Sequence, residues 1–315
     1  MRCFSKARII ASLDPELALH CLEQGFIAFS AGKVQVPPIQ GFSFPGANGD
    51  CCVKSAYIED SATFTVKIST GFYDNPGTGL PSNDGLMLVL SAHTGQPLAL
   101  LHDEGWLTGM RTALAGRIAA RLLAPPRVSA IGILGTGMQA RMQLEQLGAI
   151  TECRQVVVWG RQDSGLAAYR AFARALGYQV RTTQDAAEVA AAANLIVCTT
   201  PSRQPLLFSE WVRPGTHITA VGADGPGKQE LDPALVARAE RIVVDSVAQC
   251  SQYGEVAHAL RSGQIDTTQL IELGTLLASG APGRQHADQI TLADLTGVAV
   301  QDAQISSCAL AAMTA

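Results

Sequence analysis

Between residues 14 and 31 (DPELALHCLEQGFIAFSA), Leu17, Leu19, Cys21, Leu22, Phe26, Ile27 and Phe29 recur at helical spacing behind Asp14, whose short carboxylate suits an N-cap. That spacing predicts an amphipathic helix. From Val34 to Leu101 the texture changes to short alternating or apolar runs, CCVKSAYI, TFTVKIST, GLMLVLSA and LALLHD, separated by Gly, Pro, Asn and Asp clusters that read as turns. Residues 107–123 then predict an Ala/Leu/Arg helix, stopped by Pro125-Pro126, and a domain crossing is expected there. From Val128 to about Leu292 apolar runs alternate with helical ones: VSAIGILG before MQARMQLEQLGAI, QVVVWG before SGLAAYRAFARALG, then NLIVCTT, THITAVGA before DPALVARA, and RIVVDS. Strands apolar on both faces belong to a parallel sheet covered on both sides, so this half predicts a doubly wound α/β domain. The last strand signal, ITLADL, runs into DLTGVAVQDAQISSCALAAM, a helix expected to return to the first half and make that domain discontinuous.

Composition narrows the class. With 315 residues, 47% hydrophobic and 16% charged, the chain excludes collagen, coiled coil and low complexity, and its length fits two domains of roughly 150 residues. A net charge of −4 without a basic run predicts neither nucleic acid nor an anionic membrane surface as partner. The eight cysteines are scattered, and no Cys-x-x-Cys or Cys/His ligand spacing occurs, so no metal is expected. No apolar leader or membrane-length run is visible, which predicts reduced thiols in the cytoplasm.

Four places carry chemistry. Gly135-Thr136-Gly137-Met138-Gln139-Ala140 closes the strand SAIGIL and opens a helix, the setting in which glycines let a backbone approach a pyrophosphate at a helix N-terminus. The second strand of that domain ends in Gly160-Arg161, where folds preferring NAD carry an acid for the ribose hydroxyl; Asp163 comes two positions later. Arg161 suits a 2′-phosphate, which favours NADP(H) and leaves NAD(H) possible; the bland alternative is an arginine that stacks on adenine or lies in solvent. Lys67, inside TFTVKIST, and Arg111, inside LTGMRTALAG, are ordinary surface residues taken singly, and together fit a cationic pocket for a small carboxylate. Asp224, in the Gly222–Lys228 loop after THITAV, is an acid/base candidate at the ligand edge of the sheet, with a turn carboxylate as the alternative. Cys51, Cys52 and Cys198 read as small core residues, Trp106 and Trp211 as packing residues, and Cys250 and Glu255 are left open.

In order along the chain, FTVKI, GLPSNDGLMLVLSAHTGQPLALL before LTGMRTALAG, GTGMQA, VGADGPGKQELD and DLTGVAVQD resemble the ornithine cyclodeaminase/μ-crystallin family over essentially the whole sequence. The resemblance implies a Rossmann domain over residues 119–292, an α+β substrate and dimerisation domain from residues 1–118 and 293–315, and a homodimer. It also implies that Lys67 and Arg111 bind the substrate carboxylate and that Asp224 exchanges a proton. Gly135, Gly137, Met138 and Gln139 would hold the pyrophosphate. Val221, Thr200, Lys228 and Thr296 would lie near cofactor or substrate, and Ser82 and Asn83 would face the nicotinamide.

Two departures separate this chain from ornithine-specific members. The acid those members carry thirteen positions before the pocket lysine is Lys54 here, and the segment Pro38–Phe44 lacks their arginine, so Lys54 is expected to share its carboxylate role. The expected activity is reduction of a small imino acid of the Δ1-pyrroline-2-carboxylate or ketimine type to an amino acid such as L-proline. Lys67 and Asp224 are the catalytic candidates. A redox-neutral cyclodeaminase, a hydroxyproline-type dehydratase, an alanine dehydrogenase and a non-catalytic NADP-binding protein are the alternatives.

Overall fold

The computed structural model describes residues 1–314. The first part of the chain runs through β1 (Arg2–Ser5), α1 (Lys6–Ser12), α2 (Pro15–Ser30), β2 (Val34–Gln35), β3 (Gln40–Phe44), β4 (Gly49–Ile58), β5 (Thr63–Phe72), β6 (Asn83–Ser91), β7 (Pro97–His102) and α3 (Trp106–Leu123). There follow β8 (Ile131–Leu134), α4 (Met138–Leu147), β9 (Gln155–Trp159), α5 (Asp163–Ala175), β10 (Gln179–Thr183), α6 (Ala186–Ala192), β11 (Leu195–Cys198), β12 (Arg203–Leu207) and β13 (His217–Ala220). The chain ends with β14 (Gln229–Leu231), α7 (Pro233–Arg238), β15 (Arg241–Val244), α8 (Val247–Cys250), α9 (Glu255–Arg261), β16 (Leu270–Glu272), α10 (Leu273–Ser279), β17 (Thr291–Asp294) and α11 (Ala299–Thr314).

Two compact units result: residues Met1–Arg111 with the segment from Val298 onward, and Thr112–Gly297. The crossings implied by the resemblance lie at 118/119 and 292/293; the compact units of the structure divide at 111/112 and 297/298. The end of α3 is tied to the second unit, with Leu123 O accepting from Arg284 Nε at 2.8 Å and Thr291 Oγ1 at 3.0 Å. Beyond β17, Leu295 N–H still donates to Ala220 O and Gly297 N–H to Asp245, so the chain leaves that unit only after Gly297.

In the first unit a seven-stranded sheet runs in the order β1-β7-β6-β5-β4-β2, with β3 also paired to β4; only the β1–β7 pair is parallel. Asp14 caps α2 as expected, accepting the Glu16 N–H at 2.9 Å, and Pro15 opens the helix. Alternation along β5 turns Thr65 and Lys67 to one side, where Thr65 Oγ1 lies 2.6 Å from Ser306 Oγ of α11. The opposite face carries Phe64, Val66, Ile68, Leu86, Leu88 and Leu98, all partly or largely exposed.

The second unit is an eight-stranded, wholly parallel sheet in the order β10-β9-β8-β11-β13-β17-β15-β16. One core gathers Ile131, Ile133, Leu144, Tyr169 and Leu195; the other gathers Val189, Ile196, Ile218, Leu235, Ile242 and Leu292. Both faces are covered, as the unbroken apolar runs require. Strand order reverses between β8 and β11, the position where open α/β sheets bind ligands at the carboxyl ends of their strands. The small parallel pair β12–β14, and β1 with α1, have no counterpart in the sequence reading. No helix among the described residues is long and apolar enough to cross a membrane.

Candidate active site

The glycine turn opens the second unit. Gly135 has φ +119°, donates its N–H to Trp159 O at 3.0 Å, and a Cβ there would lie 2.5 Å from Thr199 Oγ1. Only glycine fits. Gly137 caps α4, and a Cβ on it would meet nothing within 4 Å, so internal packing does not account for this glycine. Room beside the first-turn amides of Met138 and Gln139 is what a pyrophosphate needs, and the residues present fit a dinucleotide. Ala140 is fully buried, with its carbonyl accepting from Tyr169 Oη at 3.1 Å, which lets α4 sit close on the sheet.

Arg161 is exposed just past β9. The nearest acid in sequence, Asp163, begins α5 and accepts from Gln184 Nε2 at 2.8 Å. Thr200 and Val221, both buried, follow the neighbouring strands β11 and β13. Asp224 is half exposed in the loop after β13 and lies 2.6 Å from Lys228 Nζ, so these two expected residues form one ion pair. Thr296 is buried with its hydroxyl committed to the fold: it donates to Asp245 Oδ1 at 3.0 Å and accepts from Gln249 Nε2 at 2.9 Å.

In the first unit, Lys67 and Arg111 meet on a residue that the motif reading did not single out. Asp302 of α11 is buried, with Lys67 Nζ 3.1 Å from Oδ1 and 2.9 Å from Oδ2, and Arg111 Nε 3.1 Å from Oδ1. The contact to Oδ2 is an ion pair without hydrogen-bond geometry. Arg111 also donates to Gln301 Oε1 at 2.9 Å. Burial lowers Lys67 to about 8, aided by the charges of Arg111 and Lys54 and opposed by Asp302. Burial alone would raise Asp302, but Lys67, Arg111 and Lys54 together hold its carboxyl below the usual range. Lys54 sits directly opposite Lys67 across the β4–β5 ladder and is nearly as buried.

Burial also pushes Asp103 up to about 6; its Oδ2 accepts the Leu107 N–H at 2.7 Å at the start of α3. Ser82 and Asn83 sit at the head of β6, where Ser82 O accepts the Phe72 N–H and Asn83 pairs with Gly71 of β5. One signal could have exposed Asp302: it is the sole charged residue in α11, a helix otherwise apolar or neutral. Glu230 and Glu255 are equally buried, in the second unit.

The model of the ornithine cyclodeaminase/mu-crystallin family matches residues 5–309 of this chain. A Rhizobium meliloti (strain 1021) protein bearing the provisional name dehydrogenase RB0419 is 42% identical over 98% of this chain and 93% of its own length. Alanine dehydrogenase of Archaeoglobus fulgidus is 35% identical over 92% of this chain and 88% of its own length. Among solved structures, Thermococcus litoralis Δ1-pyrroline-2-carboxylate reductase in complex with NADH and L-proline superposes with a TM-score of 0.93 at 28% identity, over 100% of this chain and 98% of the other.

Proposed function

Since this chain belongs to the ornithine cyclodeaminase/mu-crystallin family, we propose that it is a nicotinamide-dinucleotide-dependent reductase of a small imino acid, of the Δ1-pyrroline-2-carboxylate or ketimine type, yielding an L-amino acid such as proline. The observation that carries this reading is the buried convergence of Lys67 and Arg111 on a single carboxylate, Asp302. Lys67 and Arg111 against Asp302 leave one positive charge and the neighbouring Lys54 adds another, enough for a substrate α-carboxylate, and Asp302 keeps Lys67 and Arg111 aimed at a common point. When bound, the reduced dinucleotide supplies the hydride. The turn from Gly135 to Gln139 would hold its pyrophosphate. Lys67 and Arg111 fix the carboxylate, which restricts how the C=N carbon can lie. Asp224, restrained by Lys228, exchanges the proton on the imine nitrogen as general acid/base.

Lys54 argues against a cyclodeaminase of ornithine type. A buried ammonium beside Lys67 repels the distal ammonium of a diamino acid. Arg161 favours NADP(H) over NAD(H), because its guanidinium is exposed and the nearest acid in sequence, Asp163, already accepts from Gln184. The apolar outer face of the first unit's sheet, with Ile68 38% and Leu98 36% exposed, favours a homodimer in which a second copy covers it. Light scattering on Ile68→Asp tests that point; a dimer unchanged from wild type rejects this face as the interface. Eight free cysteines fit a cytoplasmic location.

The deciding experiment for the activity measures NADPH oxidation with a panel of cyclic and acyclic imino acids beside ammonia release from ornithine. Oxidation with an imino acid is expected. Ammonia release without net cofactor consumption would replace the proposal with the lyase alternative.

A further inference from the structure

Glu230 lies in β14 and is fully buried, yet its two carboxylate oxygens reach two separate loops. Oε1 accepts the Thr200 N–H at 2.6 Å, just beyond β11, and Oε2 accepts the Gly222 N–H at 3.0 Å, just beyond β13. At Gly222 a Cβ would lie 2.2 Å from both Glu230 Oε2 and Thr200 O, so the residue there must be glycine for the carboxylate to reach. Strand β14 is anchored in turn by Glu255, also fully buried, whose oxygens accept the N–H groups of Glu230 at 2.8 Å and Leu231 at 2.9 Å. A carboxyl group can accept from two converging amides at once, whether ionised or, with its proton turned away from both, neutral; a glutamine offers one acceptor and sets its NH2 against the other N–H. Burial pushes Glu230 up to about 8, opposed by the hydrogen bonds from Thr200 and Gly222 and aided slightly by the Asp224 charge. The fold therefore keeps a costly carboxyl group at this one point.

We propose that Glu230 is a positioning residue: by bridging Thr200 and Gly222 it sets the spacing of the loops 199–202 and 221–228, and with it the placing of Asp224 and of the backbone that receives the dinucleotide. The bridge itself stands on geometry within the second unit. Its catalytic consequence rests on the reductase reading given above.

Hydrogen exchange on the cofactor-free protein separates the two. In the wild type the Thr200 and Gly222 amides exchange slowly, as bonded buried amides do, and in Glu230→Gln they exchange about tenfold faster or more while β8 and β9 are unchanged. Glu230→Gln also lowers kcat about tenfold and raises the NADPH dissociation constant severalfold, while KM for the imino acid, set by Lys67 and Arg111, stays within about twofold. A merely structural glutamate would lower Tm without this split. Unchanged amide exchange, or changed exchange with kcat and the dissociation constant both at wild-type values, overturns the proposal. If Glu230→Gln does not fold, the wild type decides: Thr200 and Gly222 amides exchanging as fast as those of the surface loop at Gly225 and Gly227 overturn it. Failure of the reductase reading leaves the exchange and the dissociation constant as valid readouts.

Discussion

In the first unit a buried carboxylate, Asp302, is met by side-chain cations, Lys67 at 2.9 Å and Arg111 at 3.1 Å; in the second, the equally buried Glu230 and Glu255 are met mainly by backbone amides. The consequence is visible in ionisation. Asp302 is held below the usual carboxylate range, whereas burial drives Glu230 up to about 8 and Glu255 well above its ordinary value. Side-chain cations bring whole charges and can exceed the anion they surround, so such a cluster can take up a further anion. Backbone amides bring only dipoles fixed to the chain, so they convert a buried carboxyl group into a spacer between loops. The first arrangement suits binding and the second suits geometry.

The comparison breaks first at Arg111. Arg111→Ala removes a charge that the proposed substrate needs, and kcat/KM for the imino acid is expected to fall about 10³-fold, within the ~2–5 kcal/mol typical of truncating one partner of a buried charge pair. A fall below about tenfold would remove Arg111 from the binding site.

Next in size is stability. Asp302→Asn leaves two buried cations without a counter-charge and should cost about 3–5 kcal/mol, while Glu255→Gln keeps one acceptor and should cost about 1–3 kcal/mol by denaturant unfolding. Equal losses would mean that the two clusters do not differ in kind.

The signs of the pH dependence also separate them. Lys67 is lowered in the fold from 10.5 to about 8, so the cost of burying its ammonium is full below pH 8 and is relieved as pH rises toward 10.5. Its contribution to stability therefore increases over that window. Glu230 is raised from 4.5 to about 8, so its contribution is present below pH 4.5 and is lost as pH climbs to about 8. Activity follows Lys67: kcat/KM should decline above about pH 8 as the carboxylate anchor loses its charge, and Lys67→Arg should abolish that decline. A decline that persists in Lys67→Arg assigns the titration elsewhere.

The smallest effect is at the surface. Arg161→Ala should raise KM for NADPH about tenfold and leave NADH nearly unchanged, since an exposed guanidinium is screened by solvent. Equal changes for both dinucleotides would reject the 2′-phosphate reading.

Several residues announce their local structure or their chemistry in the sequence. Gly135 and Gly137 do so because a turn between a strand and a helix restricts both neighbours in sequence, and Asp14 with Pro15 because a helix start is decided within four residues. Lys67 and Arg111 are conspicuous as charges in apolar text. Asp302, Glu230 and Glu255 are less so. A carboxylate in a helix or strand reads as a solvated side chain until its partners are known, and the partners of Asp302 lie 235 and 191 positions away. The division at Gly297 was likewise hidden, because it depends on hydrogen bonds to Ala220 and Asp245 from other strands.

Periodicity and short motifs determined what each segment is: parallel strands where apolar runs are unbroken, alternating strands in the first part, a glycine turn after β8, and two cations set in apolar surroundings. These properties arise from neighbours a few residues apart, whose steric and hydration demands the local sequence carries in full. Tertiary structure alone decided which carboxyl groups meet cations and which meet amides, because burial and distance set the energy of a charge, and both come into being only when remote segments pack.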